Sequence, residues 1–495
     1  MRLRFRPALP QRIAAVLAAV AFSVCSTLAF AQAEMNLPAI GEPAGTVLDK
    51  NDEFAYGMMV ERMERAEGQI LDDPESQEYI DSLGTRLAAQ SQMGAAHFHY
   101  YVIRQSDINA FSVPYHIFCN YGTILAIDNE SELAAILAHE TAHATQHHIA
   151  REIMAESHQT LAMAAEMIAA VLLGAVGGGA PAIEGGVAAA QGLAAADQLK
   201  FSRTVEEEAD RIGMQYLYKA GFNPEAMADA FEILQQRYGY EDSLIPAFLI
   251  DHPVTSDRIA DARARAAELP GQRHVKSSID FGLIRARLRV ITAGTSYDIL
   301  GYFRKRLSER GPPTLADLYG EALAYMKVGQ PKKAVQILKP LTVQYQQVTL
   351  LRSALGQAEI AAGEKQAGLA TFAEAERLFP RDLPLTVRYA QALIKTGDPQ
   401  LANTLLNDLF NFVEPTPGQI QLIAQAAHDA GDEGDAHDYL GEYYISLGNL
   451  ALAAEQLQFA LKSPGITDVQ RQRFAARLLQ VRNAMADVKR HEEGG

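Results

Sequence analysis

The sequence predicts a mainly α-helical chain in two parts: a helical domain carrying a small β-sheet, then a stack of helical repeats. Three observations carry that prediction. Apolar residues recur at three and four over most of the chain, glycines recur at a fixed spacing through its last third, and strand-like stretches are confined to residues 98–127. A length of 495 residues, with 48% hydrophobic and 21% charged side chains, is ordinary for a globular protein of several domains. The formal net charge of -16 argues against nucleic acid as a partner, because binding phosphates needs a basic surface.

The first 33 residues read as a signal peptide. Arg2, Arg4, Arg6 and Arg12 precede the apolar run Ile13 to Phe30, and Ala31-Gln32-Ala33 is an A-x-A cleavage site that leaves Glu34 as the new start. An uncleaved membrane anchor is the alternative reading of that run. Removal of Cys25 leaves Cys119 as a lone thiol that cannot form an internal disulfide, and it reads as a buried strand residue.

A lead rich in Pro and Gly (34–50) precedes a helical pattern from Asp52 to about Ser91. FHYYVIR (98–104) reads as a strand, and Ile117 to Ile127 as a second strand region with a turn at Gly122. Asn129 is a good N-cap with Glu132 as its capping-box partner, so an alanine-rich helix starts there. Residues 160–196 are dense in alanine and glycine. They fit a lid, plug or membrane-contacting segment as well as a buried helix followed by a glycine loop. A charged helix over Phe201 to Gly213, the tripeptide Asp251-His252-Pro253 and a helix from Asp257 to Leu269 follow. The boundary signal Gly311-Pro312-Pro313 ends a connecting segment over 271–312.

From 313 to 490 the chain repeats. Gly329, Gly363, Gly397 and Gly431 are 34 residues apart, with small residues five after each (Ala334, Gly368, Ala402, Ala436) and seven before (Ala322, Gly356, Ala390, Ala424). That period, with small residues where two helices touch, is the tetratricopeptide pattern of an α-solenoid. Gly448 comes only half a period later and reads as an irregular end to the array.

The chemistry centres on His139, Glu140 and His143, spaced as H-E-x-x-H on the helix that Asn129 begins. Residues four apart project from one face, so both histidines can reach one metal ion while Glu140 serves as a base. A catalytic zinc site generally needs a third protein ligand. His147, Glu166 and Glu206 compete for that place; Glu206 is better placed chemically, because Asp210 follows at i+4 and can orient a ligand histidine. Glu207 and Glu208 read as a solvated charge cluster.

HETAHATQHH, followed about sixty residues on by SRTVEEEAD and then by DHP, resembles the M48 (Ste24/HtpX-like) family of zinc metalloproteases. The resemblance spans nearly the whole chain after the signal peptide, in domain order as well as motifs. It implies a zincin-type protease domain over 34–270, one Zn2+ per chain held by His139, His143 and Glu206, Glu140 as catalytic base, and Asp210 in support. It also implies that His252 can take the fourth zinc position as a gate. Asn109, Ala110 and Phe111 become the candidates for a strand that pairs with extended substrate. By the same resemblance the chain is expected to be a periplasmic endopeptidase of a Gram-negative bacterium, acting in quality control and assembly of outer-membrane β-barrel proteins. Its expected partners are unfolded or stalled outer-membrane proteins, the β-barrel assembly machinery through the repeats, and the outer membrane by peripheral contact. Two departures stand out: Tyr115-His116 follows Pro114 where the family often has Gly-Gly after the Asn-Ala-Phe strand, and the repeats lack paired cysteines.

Overall fold

The computed structural model describes residues 50–95, 97–152, 202–238, 252–270, 275–309 and 312–494. The expected signal peptide (1–33), the 160–196 stretch and Glu166 lie outside the described residues. The described residues begin with two helices, α1 (Lys50–Ala66) and α2 (Pro74–Ala88). Asp73 caps α2 by accepting from the Ser76 backbone, and Pro74 supplies the fixed φ of a first helical position.

A three-stranded sheet follows, in the order β1 (His99–Ile103), β3 (His116–Asn120), β2 (Ala110–Val113). β1 runs parallel and β2 antiparallel to β3. β2 is thus an edge strand, with no second partner among the described residues. The two-residue turn Pro114-Tyr115 joins β2 to β3, and Tyr115 takes φ 65°. A residue after proline in a tight turn often needs that left-handed backbone, which glycine adopts without cost. Here a tyrosine carries the strain, its ring packed against Phe54 and Phe98.

The expected second strand region is corrected beyond Asn120. Residues Tyr121–Ala126 form a short helix, α3, and Gly122 lies inside it instead of at a turn. The reason is close approach: a Cβ on Gly122 would stand 2.1 Å from the Ser106 carbonyl oxygen. Cys119 is buried on β3 as expected.

Helix α4 (Glu130–Thr145) begins with the expected capping box, Asn129 and Glu132 each accepting from the other's backbone. It is buried nearly all round, which fits its alanine and leucine content. Helix α5 (residues 202–219) crosses it at Gly213, where an added Cβ would sit 2.9 Å from the Ala138 carbonyl oxygen. That glycine lets two backbones touch, which brings the acidic part of α5 close to the histidines of α4. Helices α6 (Ala226–Tyr238) and α7 (Ser256–Glu268) complete this layer.

The connecting segment contains two helices, α8 (Ile279–Thr292) and α9 (Ser296–Glu309), which pack on the first repeat. The array is α10 (Leu315–Lys327), α11 (Pro331–Gln344), α12 (Thr349–Ala361), α13 (Lys365–Leu378), α14 (Leu383–Thr396), α15 (Pro399–Phe410), α16 (Pro417–Asp429), α17 (Glu433–Ser446), α18 (Leu450–Lys462) and α19 (Asp468–Gly494). Gly329, Gly363, Gly397 and Gly431 all have positive φ at helix ends, and the eight small residues of the pattern lie at buried helix crossings. Gly356, for instance, would push a Cβ to 2.6 Å from the Phe372 ring. The array does not become irregular at Gly448. That glycine ends α17, the second helix of its pair, and the 34-residue period continues to Gly465, also at positive φ.

The repeats curl back onto the first domain. Arg388 of α14 reaches Asp73 and Glu75 at the start of α2, and Arg62 of α1 donates to the Ser446 carbonyl at 2.9 Å. The main hydrophobic core is continuous from α2 through α8 into α12.

Candidate metal centre

Four of the expected residues converge. His139, His143, Glu206 and His252 each offer one donor atom, and these atoms lie within 4.8 Å of one another. The helical i, i+4 spacing puts His139 Nε2 3.1 Å from His143 Nε2. From α5, Glu206 brings its carboxylate oxygens to 3.5 Å from His139 Nε2 and 3.4 Å from His143 Nε2. His252, just before α7, places Nδ1 2.9 Å from Glu206 and 3.4 Å from His139 Nε2. Ligands on a tetrahedral zinc at bond lengths near 2.0–2.1 Å stand about 3.4 Å apart. The three spacings of 3.4–3.5 Å match that value, the 3.1 Å between His139 and His143 and the 2.9 Å between His252 and Glu206 are shorter, and two nitrogens with one carboxylate are a zinc donor set.

Asp210 sits behind the cluster. Its Oδ1 is 3.0 Å from His139 Nδ1, which sets the ring with Nε2 toward the other donors. Arg258 of α7 donates twice to Asp210, both at 2.8 Å, and its Nη1 lies 2.9 Å from Glu206. Buried carboxylates are costly without such pairing. Burial opposes ionisation of Glu206, but its contacts with His139 and His252 win and hold the carboxyl well below its usual range. Burial likewise disfavours a charge on His139, yet Asp210 and Glu206 raise it to about 10. Burial and the neighbouring His139 and His252 push His143 far the other way.

Glu140 is fully buried, and burial raises its carboxyl above the ordinary range against the pull of His252 and His139. Ser112 of β2 donates to its Oε2 at 3.1 Å, while Oε1 makes no hydrogen bond among the described residues and lies 3.6 Å from His252 Nε2. The cleft beside it has a volume of about 310 Å³ and is lined by Phe111 to Pro114 of the edge strand and its turn, Glu140, His143, Glu206 and His252, among others. Of the three strand candidates, Phe111 reaches this cleft. Ala110 is buried in the sheet, and Asn109 precedes the strand, donating its N–H to Thr123.

His147 is not part of the donor cluster. It takes φ 54° after the end of α4 and pairs with buried Glu53 at 2.8 Å. Sequence reasoning missed Ser112, Arg258, His148 and Glu208. Glu208, expected in solvent, instead contacts His148 at 3.3 Å and Arg151 at 2.7 Å. Only the spacing of Arg258 after His252 and the capping Thr255 hinted at a helix that returns a cation to the site.

A helix-borne pair of histidines, a glutamate from a second helix and a buried glutamate beside an edge strand define a metallopeptidase type of domain. Residues 74–266 match the model of peptidase family M48. It is similar to the putative beta-barrel assembly-enhancing protease of Vibrio cholerae, at 36% identity over 315 residues, covering 62% of this chain and 63% of that protein. It is also similar to the beta-barrel assembly-enhancing protease of Escherichia coli K12, at 29% identity over 470 residues, covering 93% of this chain and 94% of that protein. A third relative, the mitochondrial metalloendopeptidase OMA1 of Schizosaccharomyces pombe, is 31% identical over 182 residues, 37% of this chain and 50% of that protein. The family is one of metalloproteases, so the donor cluster is where its metal would bind. No helix among the described residues is long and apolar enough to cross a membrane.

Proposed function

We propose that the chain is a periplasmic zinc endopeptidase that cleaves misfolded or stalled outer-membrane β-barrel proteins and assists their assembly. The observation that carries the catalytic part is the convergence of four donors beside buried Glu140, at a cleft bordered by an edge strand. His139, His143 and Glu206 hold the metal, and Asp210 and Arg258 fix them in place. Zinc, when bound, polarises a scissile carbonyl and acidifies a water. Glu140 Oε1 takes the proton of the attacking water and delivers it to the leaving amine, while the Ser112 hydroxyl holds Oε2 still. An extended substrate adds to β2 at Phe111 and Ser112, where backbone pairing supports cleavage with little demand on sequence. His252, whose Nδ1 lies 2.9 Å from Glu206, would offer the fourth donor to the metal and act as the gate.

The cellular role is supported by similarity to beta-barrel assembly-enhancing proteases along 93% of the chain, and by the signal-peptide pattern of residues 1–33. The repeats are the surface for the β-barrel assembly machinery, and contact with the outer membrane is peripheral. The test is metal analysis and proteolysis of the purified protein with an unfolded outer-membrane protein. Wild type is expected to bind one zinc and cleave, and Glu206→Ala to lose both; full zinc retention in Glu206→Ala would overturn the ligand assignment. In cells, Glu140→Gln is expected to keep assembly function that a deletion of 313–495 loses. Equal loss in both strains would remove the separate assembly role.

A further inference from the structure

Asp210 supports His139, but His143 also has a ring nitrogen that points away from the donor cluster. His143 Nδ1 lies 2.9 Å from His148 Nδ1, with the two rings edge-on at 81°. His148 is buried, and its Nε2 lies 3.3 Å from Glu208 Oε2, the same oxygen that accepts from Arg151 at 2.7 Å.

The backbone is bent to make this contact. In an unbroken helix, residues five apart are rotated by about 140° and face different sides. The left-handed His147, φ 54°, breaks α4 and turns the next helical turn, residues 148–152, so that His148 faces back to His143. A strained non-glycine residue persists where the surroundings hold it, often at a functional site.

The protons have one consistent arrangement. A neutral imidazole has one N–H and one lone pair. If His143 Nε2 gives its lone pair to a metal, the proton sits on Nδ1 and donates to His148 Nδ1. The His148 proton is then on Nε2 and donates to Glu208. The chain of donors ends on a carboxylate that Arg151 holds in place. Starting from the other tautomer would put the His143 proton at the metal position.

We infer that His148 and Glu208, steadied by Arg151, are positioning residues that fix the tautomer and ring orientation of His143 for a bound divalent metal. This rests on the reading of His139, His143 and Glu206 as the ligands. Each ligand histidine then has its own support on Nδ1, Asp210 for one and the His148–Glu208 pair for the other. Both carboxylates come from α5, so one helix supplies the third ligand and anchors the other two.

The test is zinc affinity of the full-length protein, measured by competition with a chromophoric chelator, with the visible absorption of the cobalt(II)-substituted protein as a second readout. His148→Phe, which has no acceptor, is expected to lower zinc affinity roughly 10–100-fold and to alter the cobalt bands. His148→Asn is expected to recover most of the affinity, because its side-chain oxygen replaces Nδ1 as acceptor. Glu208→Ala is expected to weaken binding in the same direction and by less. Wild-type affinity in His148→Phe, or an Asn variant no better than Phe, would overturn the inference. If His148→Phe fails to fold, Glu208→Ala decides, and unchanged zinc affinity there refutes the relay. A wild-type protein that binds no zinc would refute the metal-centre reading instead, so the two failures are distinct.

Discussion

Replacing Arg388 with methionine should loosen the repeats from the first domain. Asp73 and Glu75 at the start of α2 face Arg287 of α8 and Arg388 of α14, so two anions meet two cations. Arg287 donates to Asp73 at 2.8 and 2.6 Å and to Glu75 at 2.8 Å. Arg388 donates to Asp73 at 2.9 Å and to Glu75 at 2.7 Å. Without Arg388, two buried carboxylates share one guanidinium. Breaking a buried pair costs about 3–5 kcal/mol, and the remaining Arg287 puts this case near the lower end, about 3 kcal/mol. That is a large part of the 5–15 kcal/mol, roughly, that holds a domain together. Urea unfolding of the zinc-loaded protein should show a lower midpoint, and amide exchange should quicken in α2 and α14. The acid dependence should change too. Burial works against the Asp73 charge, but Arg287 and Arg388 hold its carboxyl well below the usual range. A folded pKa below the unfolded one means the stabilisation is complete above about 3.9 and is lost as pH falls below it. Arg388→Met should reduce that loss. Adding Glu75→Gln restores charge balance, so the double variant should be less destabilised than the sum of the two single variants. An unchanged midpoint in Arg388→Met, or strictly additive single effects, would refute the reasoning.

Glu140→Gln should lower peptide cleavage by roughly 10²–10⁴-fold while zinc stoichiometry stays at wild type, as expected when a proton acceptor is lost and the ligands remain. His252→Ala should raise basal proteolysis in a fluorogenic peptide assay; unchanged or lower activity removes the gating role. Buried His116 has its pKa lowered to about 4 by loss of hydration, so a proton prefers the unfolded chain. Stability should therefore fall from pH ~6.5 down to about 4 by up to about 3 kcal/mol, and urea titrations should find that portion of the slope missing in His116→Leu.

The sequence by itself determined most of the elements and the H-E-x-x-H pair of histidines. Asn129 and Glu132 located the start of α4, and four-residue spacing put His139 and His143 on one face of it, because capping and helical periodicity are local. The 34-residue period located the repeats, because each helix crossing needs a small residue at the same place. Tertiary structure decided which charges are buried and what they face. Glu208 and Arg258 look like solvent residues in the chain, yet α5 crossing α4 at Gly213 and the return of α7 bring them to the site. Gly122 looks like a turn because its sequence does not show the Ser106 carbonyl against which it packs. His147, a bystander in the motif, breaks α4 so that His148 reaches His143. Contacts between separate elements leave no local periodicity to read, and those contacts place the groups that surround the candidate donor residues.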